Sequence, residues 1–149
     1  MQQVFTWGSD SKKKNRFLIQ YTLGTTKSNL GSYLASEGLR PQETDFGFVF
    51  KYNDLTFFIF WDDDDNQYLK LTLPGIYNVD DNNREDALVA ANQVNIEWKV
   101  IKTVVYSDEV WVVAEQLIDK DPNLSDMIPR TIQILMSGRR SFYEHLEEL

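Results

Sequence analysis

The densest set of potential metal ligands in the chain is the run Asp62-Asp63-Asp64-Asp65-Asn66. Carboxylates two residues apart can wrap a hard cation such as calcium. Laid on a calcium-binding loop, Asp62, Asp64 and Asn66 take the first, third and fifth positions. The glycine required for the sharp turn is here Gln67, and the closing glutamate is Leu73. The template fails at its two most restrictive places, so the run reads as a solvated hairpin loop with no metal bound. The single histidine, His145, lies four residues from the C-terminal end of a helical pattern. A general base needs a buried, oriented setting, and a helix end that frays predicts a surface role instead.

Other chemistry is excluded by residue type. The chain has no cysteine, which removes thiolate nucleophiles, zinc-thiolate clusters and disulfides. No serine stands in a Gly-x-Ser-x-Gly elbow, and the seven glycines are scattered, so no phosphate-cradling loop is present. Glu85-Asp86 and Glu147-Glu148 fall on exposed helix faces. Asn92 and Asn95, three residues apart on a helix, suit tying that helix to a strand or partner better than binding a ligand. Arg139-Arg140 reads as a solvated face. No catalytic constellation emerges, no cofactor is implied, and the chain is expected not to be an enzyme.

The elements that would position these residues follow from periodicity. Residues 1–27 are poorly patterned and read as a variable arm, with a short helix or strand over 15–23. A helix is predicted over Ser28 to Glu37, capped by Ser28 or Asn29 and ended by Gly38. Phe46, Phe48, Phe50 and Tyr52 alternate on one face of a strand, and Asn53-Asp54 marks a tight hairpin. The next strand, Leu55 to Trp61, is apolar on both faces. Leu69, Leu71 and Leu73 point inward from a third strand that Pro74-Gly75 is expected to stop.

Asp80-Asp81-Asn82 is expected to cap a helix over 83–96 with Ala87, Leu88, Ala91 and Val94 as its buried stripe and Ala90 beside it. Strands over 99–106 and 110–118 follow, joined by Ser107-Asp108-Glu109. A last helix opens near Asn123–Ser125, holds Pro129 in its first turn, and buries Ile128, Ile132, Leu135, Phe142 and Leu146. The order αβββαββα describes one α+β domain over 28–149.

Charge separates along the chain. Residues 1–40 hold six Lys/Arg, four of them in Lys12-Lys13-Lys14-Asn15-Arg16, against Asp10 and Glu37. The remainder holds nine basic and 21 acidic residues within a total of −8. An acidic body disfavours nucleic-acid backbones. The N-terminal apolar stretch is too short for a secretory signal, and no run approaches a membrane span, so a cytoplasmic location is expected with no membrane contact.

Several local phrases resemble the YbjN domain family. They are Leu71-Thr72-Leu73-Pro74, then Ala90-Ala91-Asn92-Gln93-Val94-Asn95, then Lys99 to Tyr106. Asp108-Glu109-Val110-Trp111 and the stretch Asp119 to Arg130 entering the last helix complete the set. The resemblance covers about residues 28–147. It implies a fold like that of type III secretion chaperones, with a twisted, mostly antiparallel five-stranded sheet and helices packed on it. It also implies a sensory-transduction regulator with no catalytic or cofactor-binding residues to carry over.

The surplus of apolar surface predicts a homodimer that also binds an unidentified protein. The expected dimer surface is Ala87, Ala90, Ala91, Val94, Trp98, Val100 and Val104, since soluble monomers seldom leave such patches bare. The alternative is a small-molecule or cation sensor using the loop 62–65.

Overall fold

A computed structural model describes residues 25–149. The readings that concern residues 1–24, including the basic run and the element expected over 15–23, lie outside the described residues. In chain order the elements are α1 (Lys27–Ser36), β1 (Gln42–Thr44), β2 (Gly47–Tyr52), β3 (Leu55–Phe60), β4 (Tyr68–Asn78), α2 (Arg84–Glu97), β5 (Ile101–Val105), β6 (Glu109–Leu117) and α3 (Leu124–Glu147). The strands form one antiparallel sheet in the order β1-β2-β3-β4-β6-β5. The expected α+β class and its order of helices and main strands are found, with a sixth strand added. That strand, β1, is only three residues long and has no apolar alternation to announce it.

The inner face of the sheet carries Phe48, Phe50, Phe57, Ile59, Leu69, Leu71, Leu73, Ile101, Val110, Val112 and Ala114. These pack with Leu30 and Leu34 of α1, the alanines of α2, and Ile128, Ile132, Leu135 and Phe142 of α3 in a single core. Alternation delivers one apolar row per strand, and the helices cover that side. Gly138 lets α3 approach closely, because a Cβ there would lie 2.4 Å from Ile101 Cδ1. Leu146, expected in the buried row, is only half-buried.

Several boundaries differ for local reasons. Asn53 and Asp54 take φ values of 49° and 61°, the left-handed pair of a two-residue hairpin turn. Phe46 does not continue the inner row. It sits in a turn before β2, its carbonyl accepts from the Trp61 N–H at 2.8 Å, and its ring joins Phe58 and Phe60 on the other face. Gly47 permits this crossing, since a Cβ there would fall 2.0 Å from the Ile59 carbonyl oxygen at a φ of 147°.

Pro74-Gly75 does not stop β4. The strand runs through them as an irregularity, moving four residues from Leu73 to Tyr77 while β6 moves two from Val112 to Val110. Gly75 turns at φ 60°, and the proline, having no N–H, sits where the ladder is already interrupted.

Helix starts also shift. Thr26 caps α1, its hydroxyl accepting from the Asn29 N–H at 3.1 Å. Asn83 precedes α2 but makes no side-chain cap bond. Instead Asp80 Oδ1 accepts from the N–H groups of Asn82 and Asn83, while Asn83 Oδ1 accepts from that of Asp80. Asn123 caps α3. Pro129 stands in the second turn of α3, not the first. Its missing N–H deprives only the exposed Ser125, whose carbonyl water can satisfy.

Candidate interaction surface

The seven residues expected to form a dimer surface fall in three places. Ala87, Ala90, Ala91 and Val94 are the buried back of α2, between 0% and 4% exposed, and belong to the core. An interface made from them would have to open the domain, so these four positions are corrected to core. Trp98 is half-buried and packs against the same core. Val104 lies across from Trp111 on the outer face of the sheet. Only Val100, 55% exposed with φ 74°, stands clear on the α2–β5 turn.

Besides Val100, an apolar stripe outside the expected set faces outward on α2. Leu88, placed in the buried stripe on sequence grounds, is 51% exposed; Val89 is 41% and Ile96 is 68% exposed. At 3.6 residues per turn, Leu88, Val89, Asn92 and Ile96 fall within about 100° of arc, opposite the buried alanines. Thus α2 is apolar on two sides. Small side chains won the inner side because α2 must lie close to both α3 and β5. The available signal was that too many apolar residues stood on α2 for one stripe.

Asn95, beside that stripe, closes the edge of the sheet. Its amide donates to the Thr103 carbonyl at 3.2 Å and its Oδ1 accepts from the Thr103 N–H at 2.6 Å. β5 is the last strand on that side, so the side chain occupies the place of a neighbouring strand's peptide group. Arg84 anchors the other end of α2 by donating to the carbonyls of Tyr106 and Ser107.

At the C-terminal end of α2, Glu97 meets α3. His145 Nε2 lies 2.9 Å from Glu97 Oε2, which also accepts from Ser141 Oγ at 3.0 Å. The hydrogen bond to Glu97 raises the imidazole pKa, and the same contact lowers that of the carboxyl. Because the serine donates to the carboxylate and not to the imidazole, the trio lacks the nucleophile-to-base contact of acyl transfer. His145 is half-buried and tied across helices, unlike the fraying surface residue expected.

The acidic loop spends its oxygens locally. Asp62 Oδ1 accepts from the Asp64 N–H, Asp65 Oδ1 from the Gln67 N–H, and Asp63 Oδ1 from the Trp61 indole. The loop borders an open hollow with Phe46, Phe60 and Tyr68. Among the described residues no three acidic or histidine side chains converge as a metal set. Asn92 projects from the exposed stripe of α2, and Arg139 lies 5.0 Å from the Tyr143 ring.

On the outer face of the sheet, Lys70 and Lys102 flank Glu115. Lys102 is the main cause of the lowered pKa of that carboxyl. Burial, then the hydrogen bond to Glu115, pushes Tyr68 up to about 12.

A six-stranded antiparallel sheet with its three described helices in one core defines an α+β class that two solved structures share. One is YbjN from E. coli, described as "a putative transcription regulator", with a TM-score of 0.63 and 10% identity over 80% of this chain and 90% of that one. The other is an uncharacterized protein from Methanothermobacter thermautotrophicus, with a TM-score of 0.60 and 10% identity over 82% and 96% of the two chains. The resemblance read from the sequence is thereby supported at the level of fold. No family model and no curated protein sequence matches the chain. Among the described residues no helix is long and apolar enough to cross a membrane.

Proposed function

We propose that this chain is a non-catalytic protein-interaction module of the YbjN type, regulatory or chaperone-like, that acts in the cytoplasm as a homodimer. The observation that carries the proposal is the outward stripe Leu88, Val89 and Ile96, continued by Val100. An antiparallel two-fold pairing centred on Asn92 sets Leu88 against Ile96 of the second copy. It also sets Glu85, in the first turn of α2, against Lys99 just past its end. Apolar groups then meet apolar groups and acid meets base at both ends, as an isologous interface requires.

The regulatory part of this reading rests on the description of the E. coli neighbour. With 21 acidic residues beyond position 40, regulation through another protein suits the chain better than contact with nucleic acid. The edge at β1 is where such a partner would add a strand. β1 pairs with β2 only as far as Val49, so Phe50 to Tyr52 have no described neighbour on that side.

The absence of cysteine allows a clean test of the dimer. Under mild oxidation Asn92→Cys is expected to give a disulfide-linked dimer, because two cysteines facing across the axis come within bonding distance. The exposed control Asn82→Cys is expected to stay uncrosslinked. Equal crosslinking of the two variants, or none in either, would remove the proposed pairing.

A further inference from the structure

The three described helices pack on the inner face of the sheet, yet the outer face is apolar as well. Phe58 stands on it with its ring 5.4 Å from that of Phe46, 6.4 Å from Phe60 and 5.8 Å from Trp111. All four are half-buried. Leu117, on the same side of β6 as Trp111, is 85% exposed. A contiguous apolar patch of this kind is seldom left bare.

The chain enters the described domain at one corner of this face. The Thr25 N–H donates to the Lys120 carbonyl at 3.0 Å, three residues past the end of β6. At that end Tyr68 of β4 pairs with Leu117. There too, Phe46, Phe60, Trp61, Asp62, Asp63 and Asp64 border one open hollow with Tyr68. The residues just before Thr25 are apolar, with Phe17, Leu18, Ile19, Tyr21 and Leu23, and those before them are basic, with Lys12, Lys13, Lys14 and Arg16. The surface runs in the same order from the point of entry, apolar first and then acidic. Lys70 and Lys102 are spent on Glu115, and Asp62 to Asp65 have no cationic partner among the described residues. The length also suffices. Neighbouring strands lie about 4.8 Å apart, so β6 to β3 is about 10 Å. Arg16 lies nine residues before Thr25, a span of about 13 Å even at the α-helical rise of about 1.5 Å per residue.

We propose that residues 12–24 lie over the outer face of their own sheet, with the apolar residues 17–23 on Phe58, Phe60 and Leu117 and the basic run against Asp62 to Asp65. The core is on the opposite face, so the domain keeps its fold without this cover. The proposal does not depend on the pairing of α2.

The absence of cysteine again makes the test direct. A spin label on Gln20→Cys of the full-length chain is expected to abolish most of the amide signal of Phe58, Phe60, Leu117 and the loop 62–65, while the signals of α2 keep their height. In a second sample, isotope-labelled chain without the spin label is refolded together with spin-labelled chain without the isotope. There the outer-face signals are expected to keep their height as well. Replacing Asp62, Asp63, Asp64 and Asp65 together by serine, in a loop that is exposed throughout, is expected to restore signal in the first sample. The proposal is overturned if the outer-face signals of the first sample stay at full height. It is equally overturned if they are lost in the mixed sample, which would make a second copy the cover, or if the serine variant leaves the loss unchanged.

Discussion

His145 and Glu97 hold the ends of two helices together, and the pairing fixes a pH dependence. Folding raises the pKa of the imidazole above its ordinary 6.5 and lowers that of the carboxyl below its ordinary 4.5. The histidine therefore lends stability that is fully present below pH 6.5 and lost as pH climbs through the raised value. The glutamate lends stability that is present above pH 4.5 and lost as pH falls through the lowered value. The pair contributes most between those limits. Accordingly, the melting temperature of His145→Gln is expected to fall furthest below that of the unmodified chain near about pH 6 and to approach it by about pH 9. A gap that stays constant across that range would mean the histidine acts only through packing. The sequence indicated the position of His145 near a helix end, but its partner lies 48 residues earlier and no periodicity announces a contact between helices. Asn95 was more legible: an amide on a helix followed closely by a strand suited a helix-to-strand tie, which is its role.

At the scale of elements, alternation located four of the six strands closely, because a sheet with one covered face imposes a period of two. It failed at Pro74-Gly75, where the rule that proline ends a strand met a bulge that needs no donor, and β4 ran on to Asn78. It failed also on α2, where the alanines and the larger residues competed for the inward side and the need for close packing decided. The edge device on β5 gives a direct test of how the elements are joined. Asn95→Ala removes both hydrogen bonds to Thr103 and leaves that edge to water. A loss of about 1–2 kcal/mol is expected in denaturant unfolding, with faster amide exchange confined to β5. A loss spread evenly over the sheet would contradict the role assigned to Asn95.

Across the whole molecule, the contacts of the described core reach back to Thr25, three residues before the expected boundary at residue 28. The Thr25 N–H donates to the Lys120 carbonyl, Thr26 caps α1, and Lys27 donates to the Thr44 carbonyl and pairs with Glu43. Removing residues 1–24 is expected to leave a cooperative melt. Removing residues 1–27 should cost about 1 kcal/mol more through the lost cap alone, and equal stability of the two truncations would show that these contacts contribute nothing. The larger claim is that α2 presents its outer stripe to a second copy, and sedimentation equilibrium at micromolar concentration tests it most directly. The chain is predicted to sediment at twice its 17.4 kDa, and Ile96→Asp is predicted to sediment at 17.4 kDa while keeping its fold. A 17.4 kDa species for the unmodified chain, or a dimer that Ile96→Asp leaves intact, would contradict it.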